Sequence, residues 1–155
     1  MTNFKRTADW LAACGKQVGN PQHFSVQLGV HLEEIVETLT CIETNHGPKG
    51  AELIGRAIGT FKELATQLKT GDKMARIADG KAVDFLDGLC DCEVTGNAVA
   101  FLAGFDKDGA DQEVLASNES KLVNGRPVFL PGGKIGKPDS YQPPRLDQFI
   151  NGAKS

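Results

Sequence analysis

Apolar residues recur at helical spacing along most of the chain and lose that spacing in its last quarter. In about residues 2–15, Phe4, Ala8, Leu11 and Ala12 share one helical face and Gly15 marks an end. Pro21 separates this short helix from a longer one, about residues 23–45, with the stripe Leu28, Leu32, Ile35, Val36, Leu39 and Ile42. Gly47-Pro48 breaks the pattern, and Pro48 suits the first turn of a third helix, where a missing N–H costs little. That helix carries Ile54, Ala57, Ile58, Phe61, Leu64, Ala65 and Leu68 and ends at Gly71. A fourth, about residues 79–105, carries Ala82, Phe85, Leu86 and Leu89, then Ala98, Phe101, Leu102 and Phe105. After Gly109 a short helical piece, about 112–116, gives way to Asn-Gly, Pro-Gly-Gly and Pro-Pro. Asn124-Gly125, between Leu122-Val123 and Val128-Phe129, is a hairpin signal.

This pattern predicts an all-α fold of four-helix-bundle type with an irregular C-terminal tail. We expect a single domain over 1–155, with a helical core at about 2–116 and a tail at about 117–145, since one core closes at this length. A composition of 40% hydrophobic and 24% charged residues is too apolar for a disordered chain. No apolar run approaches the ~20 residues of a membrane span and the first residues lack a signal-peptide pattern, so a cytoplasmic location without membrane attachment is expected. Cys14, Cys41, Cys90 and Cys92 lack Cys-x-x-Cys spacing and read as reduced packing residues.

A net charge of -3 argues against a nucleic-acid polymer as partner, but the charge is unevenly distributed. From His31 to Glu93 there are 12 acids against 7 Lys/Arg, and from Asn118 to Arg145 there are 2 against 5. An acidic core with a basic tail suits a metal–polyphosphate ligand.

Three clusters carry candidate chemistry. Glu33, Glu34 and Glu37 stand at i, i+3 and i+4 spacings, where like charges repel unless a cation is present. At 100° per residue they fall opposite the apolar stripe, on an arc shared with Val26, Val30 and Cys41, which predicts a partly enclosed surroundings for the carboxylates. Asp84, Asp87 and Asp91 stack on one face of the most apolar helix, although aspartate is a poor residue in mid-helix. Two such patches on neighbouring helices would make an all-oxygen cage suited to Mg²⁺ or Mn²⁺. The third cluster is the tail: Ser117-Asn118-Glu119-Ser120-Lys121, then Gly132-Gly133-Lys134-Ile135-Gly136-Lys137, then Tyr141-Gln142-Pro143-Pro144. Its glycines allow close backbone approach and its lysines supply point charges to phosphate oxygens. The competing readings are a solvated acidic face and an ordinary polar loop.

The order of these motifs over roughly 24–144 resembles the MazG-like or phosphoribosyl-ATP pyrophosphohydrolase-like branch of the all-α nucleoside triphosphate pyrophosphatases, especially the short versions of phage and bacterial genomes. The resemblance implies hydrolysis of a nucleoside triphosphate to the monophosphate and pyrophosphate. It implies Glu34, Glu37, Asp84 and Asp87 as Mg²⁺ or Mn²⁺ ligands, with Glu33 as a second-metal ligand or the group orienting the attacking water. It implies Asn118, Lys121, Lys134 and Lys137 at the phosphates or sugar, Tyr141 covering the nucleotide, and a homodimer or homotetramer. The chain departs from the family in having Asp84 where Glu is usual and Val94 where an aromatic is common.

Alternatives are phosphoribosyl-ATP hydrolysis, a di-iron bundle, and a non-catalytic helical interaction module. The di-iron reading needs two Glu-x-x-His motifs, and only Glu43 to His46 fits. Trp10 reads as helix packing, Gly55-x-x-x-Gly59 as a close helix contact, and His31 as a structural residue.

Overall fold

A computed structural model describes residues 1–71, 74–131 and 135–150. The described residues are mostly helical: α1 Asn3–Ala13, α2 Pro21–Thr40, α3 Gly47–Thr70, α4 Ala82–Leu102 and α5 Lys107–Glu119. A two-stranded sheet, β1 Leu122–Val123 and β2 Arg126–Pro127, and a 3-10 turn at Asp147–Phe149 complete it. No helix is long and apolar enough to cross a membrane among the described residues. Contacts group the chain into two compact units, Gln17–Ala78 and the combination of Met1–Lys16 with Asp79–Ser155.

The unit Gln17–Ala78 is a hairpin of α2 and α3. The Asn20 side chain caps α2 by accepting from the His23 N–H at 3.0 Å, and Pro21 occupies the first turn. Thus Pro21 begins this helix rather than separating it from its predecessor. The helix stops at Thr40, short of the expected end, where the Thr38 and Thr40 hydroxyls donate to the carbonyls of Glu34 and Glu37 and compete with continuation.

The helices meet along small residues. Ser25, Gly29 and Val36 of α2 and Ala65 of α3 are buried, whereas Leu28, Leu32, Ile35 and Leu39 are half-buried. A Cβ on Gly29 would lie 2.8 Å from the Ala65 carbonyl oxygen, so only glycine permits this crossing. Gly55 and Gly59, expected to make a close contact, instead face open space. Ser25 Oγ donates to the Leu68 carbonyl at 2.8 Å and accepts from the Ala75 N–H at 3.0 Å, tying the chain beyond α3 back to α2.

In the other unit, α5 packs on α1, α4 and the 3-10 turn. Asp106 caps α5 through Oδ1, which accepts from the Gly109 N–H at 3.0 Å, so the helix starts before the glycine that reads as a break. Gly109 is there for contact: a Cβ would lie 2.5 Å from Cε1 of Phe149. The Asp106 N–H also donates to the Phe149 carbonyl at 2.9 Å. Arg6 of α1 makes a two-pronged pair with Glu119 of α5, both N···O distances being 2.8 Å. Asn124 (φ 51°) and Gly125 (φ 74°) form the expected turn, with both residues left-handed as a tight hairpin requires. Pairing Val123 with Arg126 starts the second strand two residues earlier than the apolar Val128-Phe129 suggests.

The helix α4 differs from the others. Among its residues only Phe85 and Ala100 are half-buried, and the rest are exposed. It is the most apolar helix in sequence, so its large side chains face outward without cover.

Candidate functional site

The tail motifs converge on the C-terminal end of α5. Ser120 Oγ accepts from the Gln142 N–H at 2.9 Å, and Ser140 Oγ donates to the Ser120 carbonyl at 3.3 Å. These bonds bring Tyr141 beside the last turn of the helix. Lys121 then lies with its ammonium 5.8 Å from the centre of the Tyr141 ring and 5.9 Å from that of Trp10. Asn118 Oδ1 accepts from the same ammonium at 2.8 Å. Lys137 reaches the Tyr141 ring from its own strand of chain, at 4.8 Å.

Four residues expected from sequence to bind substrate, Asn118, Lys121, Lys137 and Tyr141, are therefore adjacent. The fifth, Lys134, lies outside the described residues. Among the described residues neither Lys121 nor Lys137 is ion-paired, so two ammonium groups share one aromatic ring without a carboxylate to balance them. An aromatic face attracts each cation. The two cations repel each other, and an anion placed between them removes that repulsion.

Sequence reasoning missed two contributors. Ser120 sets the position of Tyr141, and the signal was its place in Ser-Asn-x-Ser-Lys. Trp10, read as packing, forms the second face around Lys121; its buried Nε1 has no hydrogen-bond partner among the described residues. Cys14, which follows α1, is buried, and that burial pushes its thiol pKa up, against the opposing effect of Lys16 and Lys121.

The acidic clusters sit on α2 and α4. Glu33 is half-buried and paired with Lys69 of α3. Glu33, Val36, Glu37, Thr40, Lys62 and Thr66 line an open groove of about 400 Å³ between α2 and α3. Glu33 and Glu37 thus border the helix contact rather than facing away from it, because α3 packs against the edge of the α2 stripe marked by Ser25, Gly29 and Val36. Glu34 is outside this groove and exposed. Among the described residues neither Glu34 nor Glu37 is ion-paired through its carboxylate.

The chain matches no known family, curated protein or solved structure. The reading of the site therefore rests on its own chemistry.

On α4, Asp84 pairs with Lys81 at 2.7 Å, both side chains exposed, while Asp87 and Asp91 are exposed along the same face. An exposed pair of this kind is worth at most about 1 kcal/mol and is easily displaced. Each helix thus offers one i, i+3 pair of carboxylates, Glu34 with Glu37 and Asp84 with Asp87. These are hard oxygen donors without competing nitrogen or sulfur, and in that respect they fit Mg²⁺ or Mn²⁺. Among the described residues no three acidic, His or Cys side chains are grouped as a metal site. A six-coordinate ion on either pair would take its remaining ligands from water and phosphate oxygens.

Proposed function

We propose that the chain is a Mg²⁺- or Mn²⁺-dependent nucleoside triphosphate pyrophosphohydrolase of the all-α, four-helix-bundle type, releasing pyrophosphate and the nucleoside monophosphate. The observation that carries this reading is the meeting of Lys121 and Lys137 on Tyr141 with no carboxylate partner, a surface made for a polyanion. The unengaged carboxylates of Glu34, Glu37 and Asp87 support it, since acids at helical spacing without counter-ions favour a cation.

Each group has a role on this reading. Lys121 and Lys137 bind phosphate oxygens, and Asn118 holds the Lys121 ammonium in place. Tyr141 and Trp10 flank that ammonium and restrict the approach of the ligand. Glu34 with Glu37, and Asp84 with Asp87, are the pairs that would each hold a metal, which would supply charge neutralisation of the triphosphate and a more acidic water. Glu33, positioned by Lys69, orients the water that attacks phosphorus.

The test is release of pyrophosphate from a panel of ribo- and deoxynucleoside triphosphates and from phosphoribosyl-ATP, with Mg²⁺, with Mn²⁺ and with a chelator. Pyrophosphate formed only with metal supports the reading, and the preferred nucleotide separates the two substrate classes. A protein that binds neither metal nor nucleotide is instead a helical interaction module.

A further inference from the structure

The groove between α2 and α3 carries two places where an acid and a base face each other, and only one of them is closed. Glu33 of α2 is paired with Lys69 of α3. The helices of a hairpin run antiparallel, so seven residues forward from Glu33 stands Thr40 and seven back from Lys69 stands Lys62. At 1.5 Å per residue Lys62 is level with Thr40 and about 4.5 Å beyond Glu37 along the hairpin. Glu37, Thr40, Lys62 and Thr66 line the same opening of about 400 Å³, together with the buried Val36.

Glu37 and Lys62 are each unmatched on their own helix. The neighbours of Lys62 three and four residues away are Ile58, Gly59, Ala65 and Thr66, and those of Glu37 are Glu33, Glu34, Thr40 and Cys41. No opposite charge stands at any of these places. Among the described residues neither group is ion-paired across the groove.

The other side-chain donors of the groove are spent. Thr40 Oγ donates to the Glu37 carbonyl at 2.6 Å and Thr66 Oγ to the Lys62 carbonyl at 2.8 Å. Among the described lining residues Lys62 is therefore the side chain left to donate to an anion, and Glu37 the carboxylate left to take a cation. A ligand that fills the gap carries both charges, as a phosphate chain with a bound divalent metal does. Metal–oxygen bonds of about 2.0–2.1 Å and a charge-assisted hydrogen bond of about 2.7–2.9 Å link carboxylate, ion, phosphate oxygen and ammonium over an offset of this size.

We propose that, given the metal reading of Glu37, Lys62 is a phosphate-binding residue that holds a metal-bound polyphosphate in the α2–α3 groove.

The test titrates the full chain with inorganic tripolyphosphate and Mn²⁺ by calorimetry, which requires no turnover. Lys62→Gln should weaken this binding about tenfold, the effect of one hydrogen bond to a charged group, and Lys62→Arg should restore most of it. Lys49→Gln, an exposed change on α3 outside the groove, should leave it unaltered. Mn²⁺ alone, followed by its paramagnetic resonance, should bind Lys62→Gln at least as tightly as the unaltered chain, since a neighbouring cation is removed. Adding Glu37→Gln to Lys62→Gln should cost less than the two single losses together, because both act on one ligand. Equal tripolyphosphate affinity in Lys62→Gln, an equal loss in Lys49→Gln, or weakened Mn²⁺ binding in Lys62→Gln overturns the proposal. Binding that depends on Lys62 in a protein that hydrolyses no nucleotide keeps the groove and removes the pyrophosphohydrolase reading, whereas pyrophosphate release by Lys62→Gln with an unchanged KM does the reverse.

Discussion

Lys137 holds its ammonium 4.8 Å from the centre of the Tyr141 ring, and Lys121 approaches the same ring at 5.8 Å. Two like charges in this position are poised for a counter-ion. Because Lys121 also touches Trp10, the single tryptophan of the chain, a bound triphosphate should change the tryptophan emission. Lys121→Ala and Lys137→Ala should each weaken the titration by about tenfold, equivalent to about 1.4 kcal/mol. Unchanged affinity in both variants would remove the lysines from phosphate binding.

Glu37→Ala and Asp87→Ala are expected to lower pyrophosphate release by more than the roughly 10–100-fold that loss of a group merely supporting a metal ligand costs. Both side chains are exposed and unpaired among the described residues, so the melting temperature should stay level or rise. Wild-type turnover in either variant would exclude that residue from the reaction.

Gly29→Ala pits helix propensity against packing. Alanine gains about 0.5–1 kcal/mol in a helix interior, but its Cβ would sit 2.7 Å from Cγ of Lys69 and 2.8 Å from the Ala65 carbonyl oxygen. The lysine can yield and the backbone cannot, so overpacking at about 1–3 kcal/mol should prevail. Urea unfolding should show a net loss for Gly29→Ala and a gain for Gly55→Ala, whose Cβ meets open space. Equal effects at the two sites would contradict the close crossing.

The bond to Arg6 holds the Glu119 carboxyl below its ordinary pKa, and Glu119 in turn raises that of Arg6. Because the folded value of Glu119 is the lower one, its contribution is complete above the unfolded carboxylate pKa of about 4.3 and is lost as pH falls through the folded value. Glu119 is partly exposed, which limits the pair to about 0.2–1 kcal/mol. Glu119→Gln should therefore lower stability at neutral pH and flatten the acid side of the stability curve. An unchanged acid limb would place the pair outside the folding equilibrium.

Helix existence was legible wherever apolar residues repeat, and the Asn124-Gly125 turn was legible because few dipeptides tolerate two left-handed residues. What could not be read was which edge of a stripe is used. On α2 the leucines suggest the packing face, but Ser25, Gly29 and Val36 allow closer approach and make the contact. That shift of contact brings Glu33 and Glu37 to the border of α3. Helix ends were misjudged where polar side chains decide them: Asp106 begins α5 ahead of Gly109, and Thr38 and Thr40 accompany the early end of α2. The tail residues Asn118, Lys121, Lys137 and Tyr141 were individually visible. Their meeting depends on the Ser120 hydroxyl, a single bond that periodicity does not encode.

The seat of Phe149 against Gly109 makes the end of the described chain a clasp on the start of α5. Its carbonyl also receives the Asp106 N–H, so ring and backbone secure the same point. A shortened version ending at Arg145 would look like harmless trimming, yet it would leave an empty slot beside Gly109 and loosen the helix that carries Asn118. Tags are better attached after Ile150 than in place of the residues before it.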